Sequence, residues 1–326
     1  MVVRILDDET VIVDMEEGDV INMRHLSIHK CDESASPQES SVQVHQWLAD
    51  FESVSSNVYD VRDFFKRAPS SLRSDREFML LIVARYGLAF GFAHDSLKAD
   101  KAVALASVRE DGRALLWAQE ALKADREVVL AAVQQHGLAL ESAHASLQAD
   151  REVVLTAVRQ CGGAIVFAGG ALRADKDIVL AAVQQDGYAL RDVHKSMKTN
   201  KEIVLAAVQQ NGAALHYADF SLQADREVVL AAAQQRGDAL VFACGAALAD
   251  KEVVLTAVQQ NGNALYHAHE SLKADKDVVL AAVQQSGTSL RFAHDALRAD
   301  KEVFFAAVEQ DGSSLQHAIL DSSNFP

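Results

Sequence analysis

The stretch KEVVLTAVQQNGNALYHAHESLKAD, Lys251 to Asp275, has near-copies ten times along this 326-residue chain. A glycine stands at every 25th position from Gly87 to Gly312, and an Asp or Asn stands twelve residues before each of these glycines. A fixed internal period of this length indicates a repeat protein, in which each unit packs on its neighbours. Positions in a repeat are counted here from the Asp or Asn, which is position 0, so that the glycine is position 12.

The residues at positions 0 and 12 predict where the helices of one repeat begin and end. Asp or Asn at a helix start accepts a hydrogen bond from a free backbone N–H. Glycine after a helix adopts the left-handed conformation without steric cost. We therefore expect a first helix near 76–86, a second near 89–97, and the same pair every 25 residues. The structural caps that we single out are Asp75, Gly87, Asp125, Gly137, Asp250 and Gly262.

The apolar positions of each repeat predict how the helices pack. Positions 3, 4, 5, 7 and 8 are apolar and cover more than half of the first helix, whereas positions 14, 15, 18 and 22 form one stripe on the second. A single pair of helices cannot bury a core, but stacked pairs can. The sequence thus predicts an all-α fold, an α-solenoid of about ten two-helix repeats.

The repeat consensus also carries a family resemblance. The pattern D-[KR]-E-V-V-L-x-A-V-Q-Q-x-G-x-A-L-x-x-A-x-x-x-L, over residues 75–318, resembles the repeats of Domain of Unknown Function family 4116, with about two units per domain. The resemblance implies an all-helical repeat protein. It supplies no activity, cofactor or functional residue.

Five segments follow from the sequence. Residues 1–30 contain VVRIL and TVIVDM on either side of a DDE turn, which predicts a β-hairpin or partial β-grasp-like segment, similar to the opening of a ubiquitin-like domain. Residues 31–41 predict a flexible linker, and 42–74 predict a degenerate N-terminal capping repeat with Ala68 and Leu72 in register. The ten-repeat solenoid then spans 75–320, and 321–326 form a tail.

Composition narrows the classes of function. The net charge of −15 argues against nucleic acid and anionic membranes as partners. The first 50 residues contribute −8 of it, with 3 Lys/Arg against 11 Asp/Glu. Three cysteines (Cys31, Cys161 and Cys244) match no metal-binding spacing and indicate a reducing compartment. No signal peptide or membrane-spanning run is present. We expect a cytoplasmic protein.

Recurrent polar and aromatic residues are candidates for chemistry. Position 19 is histidine in five repeats, position 17 is often aromatic, and position 1 is Lys or Arg in all ten. We interpret these as helix-flank histidines, core packing, and cations neutralised by acidic neighbours that fix the stacking register. No nucleophile, phosphate-loop or paired-carboxylate pattern is present, so we expect no enzyme activity, cofactor or metal. The alternative is an enzyme or small-molecule binder with a pocket near the degenerate N-terminal repeat.

Positions 13, 16, 19 and 20 vary from repeat to repeat, and we name their surface the variable face. A constant scaffold with one variable face is how solenoids recognise other proteins. The stretches GAIVFAGGA at 163–171 and VFACGAA at 241–247 contain no charged residue, and we predict a partner-binding surface at Val166, Gly169, Gly170, Val241, Cys244 and Gly245. Neutral drift, local decay of the repeat, or a flexible joint would explain the same variation.

Overall fold

The structure is a computed structural model that describes residues 2–5, 11–14, 47, 65 and 68–317. The chain divides into two compact units, Met1–Phe78 and Met79–Pro326. In the first unit, the strands Val2–Ile5 and Val11–Asp14 pair antiparallel. The same unit contains a short α-helix, Ser70–Ser74, whose Leu72 is buried.

Several predicted segments fall on residues that the structure does not describe. The linker 31–41 and the tail 321–326 lie outside the described residues, and so does most of the β-grasp-like segment 1–30. Most of the capping repeat 42–74 lies outside them as well, although Ala68 and Leu72 are buried. The segment boundaries and the ubiquitin-like resemblance therefore stay predictions.

From Arg76 to His317 the chain is an array of ten helical units of 25 residues, each packed on the next. The predicted all-helical repeat array is confirmed. Each unit begins with a ten-residue α-helix, and none of the described helices is long and apolar enough to cross a bilayer. These first helices are Arg76–Arg85, Lys101–Glu110, Arg126–Gln135, Arg151–Gln160, Lys176–Gln185, Lys201–Gln210, Arg226–Gln235, Lys251–Gln260, Lys276–Gln285 and Lys301–Gln310.

The residue at position 0 starts each first helix. The Asp125 carboxylate accepts hydrogen bonds from the N–H groups of Glu127 and Val128, which have no partner within the helix. Asp75 accepts from the Phe78 N–H at 2.9 Å. Asp250 accepts from Val253 at 3.0 Å.

The predicted second helix is wrong as a continuous α-helix. Positions 12–17 form a 3₁₀-helix, the chain is extended at positions 18 and 19 in most repeats, and a short helical turn follows. The 3₁₀-helices are Gly87–Phe92, Gly112–Trp117, Gly137–Ser142, Gly162–Phe167, Gly187–Arg191, Gly212–Tyr217, Gly237–Phe242, Gly262–His267, Gly287–Phe292 and Gly312–His317. The short turns are Leu97–Ala99, Glu120–Lys123, Ala145–Gln148, Leu172–Ala174, Lys195–Met197, Phe220–Gln223, Gly245–Ala249, Glu270–Lys273 and Asp295–Arg298.

A backbone hydrogen bond between repeats explains the break. The N–H of position 19 donates to the carbonyl of position 23 in the preceding repeat, as His144 donates to Lys123 at 2.9 Å and His294 to Lys273 at 2.9 Å. Eight consecutive joints, from Gln119 to His294, have this bond. A continuous α-helix would use that N–H for its own i−4 carbonyl. Packing between repeats therefore overrides the helical pattern.

The proposed role of the glycine caps also needs correction. Gly87, Gly137 and Gly262 do not adopt the left-handed conformation, since among the described glycines only Gly245 has a positive φ, +59°. A Cβ on Gly87 would instead lie 2.5 Å from the Ser107 carbonyl oxygen in the next repeat. The corresponding approaches at Gly137 and Gly262 are closer still. Glycine is required at position 12 because two backbones meet there.

The core runs through the array between the first helices and the 3₁₀-helices. Positions 3, 4, 7 and 8 of the first helix are buried, as are 14 and 15 of the 3₁₀-helix; Val128, Val129 and Leu140 are fully buried. Position 5 departs from the predicted pattern. Its leucines, such as Leu155 and Leu180, are only half-buried. They lie on the outer surface between neighbouring first helices.

Candidate partner-binding face

The cations at position 1 join neighbouring repeats. Lys101 lies 2.7 Å from Asp125 and 2.9 Å from Glu127, which are positions 0 and 2 of the next repeat. The same bridge recurs at Lys201 and at Lys251. Because each of these cations pairs with two carboxylates of the next repeat, it helps to hold neighbouring repeats together.

The same bridges and caps affect the acidity of the capping aspartates. The pKa of Asp250 lies below its usual value, chiefly because its carboxylate accepts from the Val253 N–H and then because of the Arg226 guanidinium. The Val153 N–H is likewise the largest cause of the lowered pKa of Asp150, and Arg126 adds to it against partial burial. The carboxylates of Asp150 and Asp250 are therefore held in their ionised form.

The glutamine at position 10 forms a second joint between repeats. The Gln285 side-chain oxygen accepts from the Gly262 N–H at 2.6 Å, and its amide nitrogen donates to the Gln260 carbonyl at 3.1 Å. Gln160 and Gln185 bond in the same way to the repeat before them. The side chain thus satisfies backbone groups that the preceding first helix leaves unpaired at its end.

The histidines at position 19 cap the short turns. The Nδ1 atom of His144 accepts from the Ser146 N–H at 3.3 Å and lies 2.8 Å from the Ser146 Oγ. Asp219 caps its own turn in the same way, through the Ser221 N–H at 3.0 Å. The other histidines of this type are His94, His194, His269 and His294.

The histidine–serine pairs contain a nucleophile and a base, which raises the question of catalysis. Both residues lie on the exposed surface, two positions apart in one turn, and their hydrogen bonds are those of a helix cap. In the part of the chain that the structure describes, no three His, Cys, Asp or Glu side chains are grouped to hold a metal ion. The geometry at position 19 is therefore that of structural capping.

The variable face carries seven of the ten large hydrophobic side chains that are exposed among the described residues. Each of the seven consecutive repeats from Asp100 to Asp250 places one large apolar residue there, between 38% and 79% exposed. These residues are Leu116, Leu138, Val166, Tyr188, Phe220, Val241 and Tyr266. On the first helices, exposed large apolar residues are Leu81 and Phe305, in the first and last of the ten repeats. The apolar stripe therefore lies on one face.

Half-buried rings at position 17 contact the variable face of the preceding repeat at three joints. The Tyr266 ring packs edge-on against Phe292 of the next repeat, with centroids 5.2 Å apart. His216 and Phe242 are 4.9 Å apart, and Tyr188 and Tyr217 are 6.2 Å apart. Tyr217, Phe242 and Phe292 at position 17 thus each pack against an exposed ring of the preceding repeat, consistent with the predicted packing role.

The six predicted partner-binding residues lie in two separate places. Val166 is 41% exposed, and a Cβ on Gly170 would meet open space, while Gly169 is half-buried. Three repeats further on, Val241 is 48% exposed beside the half-buried Cys244 and the exposed Gly245.

Sequence reasoning missed the apolar residues that link the two places. Tyr188 and Phe220 belong to the two repeats between them, and Leu116, Leu138 and Tyr266 extend the stripe at both ends. The available signal was a large apolar side chain at a variable position. The prediction applied that signal to only two repeats, at Val166 and Val241.

A comparison with protein families gives five matches to the family described as Domain of unknown function (DUF4116), at residues 52–98, 100–148, 150–198, 200–244 and 250–298. The chain belongs to the DUF4116 family. Each match covers two of the 25-residue units, and the first DUF4116 match begins within the degenerate repeat. No curated protein and no solved structure matches the chain.

One DUF4116 match ends early, at a place where the structure is also irregular. The fourth match stops at Cys244 and the fifth begins at Asp250. Between them, Gly245 has its positive φ and Ala247 stands where most repeats have leucine. The Cys244 side chain makes no cap hydrogen bond, yet its N–H still donates to the Gln223 carbonyl at 3.0 Å. The joint between repeats is thus kept where the DUF4116 pattern is lost.

Proposed function

We propose that this chain is a non-enzymatic α-solenoid scaffold that binds another protein along its variable face. The observation that supports the proposal is the apolar stripe, one exposed side chain in each of seven successive repeats. Large contiguous apolar surfaces on otherwise polar proteins mark interaction sites. A stripe that extends over seven repeats suits an elongated polypeptide better than a small molecule.

The invariant polar residues support the same proposal. Position 0 caps a helix, position 1 bridges repeats, and position 10 satisfies backbone groups. Catalysis requires a nucleophile or base that is free to reach a substrate. In these repeats such groups are engaged in holding the array together, which leaves recognition to the residues that vary.

The experiment compares proteins recovered with the wild-type chain and with a face variant, by affinity purification and mass spectrometry from the native cells. The variant combines Val166→Glu, Gly170→Glu and Val241→Arg, which place charge on the stripe. Gly245 is left unchanged because any other residue would be strained at φ +59°. We expect the specific partner to be lost from this variant.

The matched control places the same number of charges on the exposed surface of the first helices, with Gln209→Glu, Gln234→Glu and Gln259→Arg. The control variant should retain the partner. Recovery of the same proteins at unchanged affinity with the face variant would exclude the variable face as the binding surface.

A further inference from the structure

A groove between two first helices differs from its counterparts elsewhere in the array. It lies between Arg151–Gln160 and Lys176–Gln185, has a volume of about 650 Å³, and is open to solvent. Leu155 and Leu180 form its apolar part, and Arg159 and Gln184 provide polar groups. It is distant in sequence from the degenerate repeat, where the small-molecule alternative placed a pocket.

Arg159 is an unusual residue at its repeat position. Position 9 is glutamine in most repeats, and Arg109 is the other arginine there. Arg109 lies 4.0 Å from Glu127 Oε1, while Oε2 of the same carboxylate bridges to Lys101 at 2.9 Å. The Glu127 carboxylate thus pairs with two cations, Lys101 and Arg109.

At the groove the equivalent carboxylate is shorter by one methylene. Asp177 replaces glutamate at position 2, and its carboxylate bridges to Arg151 at 2.5 Å. Arg159 has no carboxylate partner among the residues that the structure describes. A cation without a counter-charge therefore stands beside two half-buried leucines on a chain of net charge −15.

We propose that this groove binds an acidic segment of a partner protein. Arg159 forms an ion pair with a carboxylate of that segment, and an adjacent apolar side chain packs on Leu155 and Leu180. Charge complementarity selects the carboxylate, because a guanidinium pairs with it through directed hydrogen bonds. The site is on the first-helix surface, so it is independent of the variable face and of the function proposed above.

The probe is the peptide acetyl-Leu-Glu-Leu-Glu-Leu-amide, with the glutamine analogue as its neutral counterpart. Binding is followed by NMR through the side-chain Nε–Hε signals of Arg159 and Arg109 in the full-length chain. We expect a saturable shift of the Arg159 signal with the acidic peptide and none with the neutral one. Added salt should weaken the binding, because the charges are exposed.

Two repeat-typical variants test the mechanism. Arg159→Gln should abolish the binding. Asp177→Glu should weaken it about tenfold, since the longer carboxylate can pair with Arg159 as Glu127 pairs with Arg109. The matched control Arg109→Gln should bind the peptide as the wild type does.

The proposal is overturned if the neutral peptide binds equally well, or if Asp177→Glu retains wild-type affinity. It is also overturned if Arg109→Gln and Arg159→Gln lose the same affinity. Thermal unfolding of each variant, followed by circular dichroism, separates loss of binding from loss of fold. Because both test substitutions introduce residues that other repeats already have at these positions, we expect unchanged melting temperatures.

Discussion

Single residues in this protein are constrained mainly by the neighbouring repeat. Gly187 has an ordinary negative φ, and its own helix would accept alanine, which is the better helix former. A Cβ there would nevertheless lie 2.5 Å from the Ala207 carbonyl oxygen, within the backbone of the next repeat. The restriction comes from the joint and not from the glycine's local conformation.

Gly187→Ala should therefore lower the free energy of unfolding by about 1–3 kcal/mol, the usual cost of overpacking a close contact. Gly312→Ala is the matched control, because Gly312 is also at position 12 and a Cβ there meets nothing within 4 Å. Urea unfolding followed by circular dichroism measures both. Equal stability of the two variants would contradict the close-approach explanation.

The sequence predicted correctly that position 12 requires glycine, but not why. Glycine at the end of a helix commonly signals a left-handed cap. A close approach between backbones depends on residues 20 positions away, such as Ala207 opposite Gly187, and local sequence does not indicate that distance. The capping aspartates raised no such difficulty, since Asp125 acts on N–H groups two and three residues later.

At the scale of helices and turns, the glutamine side chain at position 10 bonds to backbone groups at the end of the first helix in the preceding repeat. Gln285 accepts from the partly buried Gly262 N–H and donates to the Gln260 carbonyl. Its neighbour Gln284 is exposed like Gln285 but makes neither of these hydrogen bonds. Two adjacent glutamines in one helix thus have different roles.

Gln285→Ala should cost about 1–2 kcal/mol, because it leaves a partly buried N–H without an acceptor. Gln284→Ala should change the stability by less than about 0.5 kcal/mol, as surface substitutions usually do. The same urea titration measures both variants. If Gln284→Ala proved as costly as Gln285→Ala, the bridging role would be excluded.

The 3₁₀-helix could have been found from a signal at position 11. Asp111 and Asn211 cap it by accepting from Arg113 and Ala213, and Asp186 and Asn261 do the same in their repeats. The predicted first helix, near 76–86, includes position 11, so the pattern of this second cap was overlooked. The break at position 19 had no local signal, because its cause is a hydrogen bond to the preceding repeat.

Across the whole molecule, the capping aspartates make the stability of the fold depend on pH. Seven of them have lowered pKa values in the folded chain: Asp125, Asp150, Asp175, Asp225, Asp250, Asp275 and Asp300. The unfolded chain therefore takes up these protons first as the pH falls. Stability is fully present above the ordinary aspartate pKa, about 3.9, and is lost as the pH falls through the folded values.

Thermal melts between pH 7 and pH 2 should show a steep loss of melting temperature below about pH 4. Asp150→Asn combined with Asp250→Asn should make this loss shallower, since asparagine keeps the cap, as Asn200 does, but does not titrate. The wild-type chain is the reference. An identical pH dependence in the double variant would show that the caps do not cause it.

The array itself was predictable because each repeat shows its period, its caps and most of its core in ten copies. The proposed binding surface was predictable only in part. Val166 and Val241 stood out because their neighbourhoods lack charge, but Phe220 and Tyr266 lie among charged or polar neighbours and gave no such contrast. Their exposure depends on packing between repeats, which composition does not indicate.

The hydrogen-bonded and ion-paired joints between repeats recur at the same numbered positions: 1 to 0 and 2, 10 to 10 and 12, and 19 to 23. Each repeat can therefore make the same set of contacts with any other repeat that precedes it. An in-frame duplication or deletion of 25 codons, as unequal recombination produces, would regenerate every joint in kind. The length of the array can therefore change in whole units during evolution, while each unit diverges separately on its exposed side.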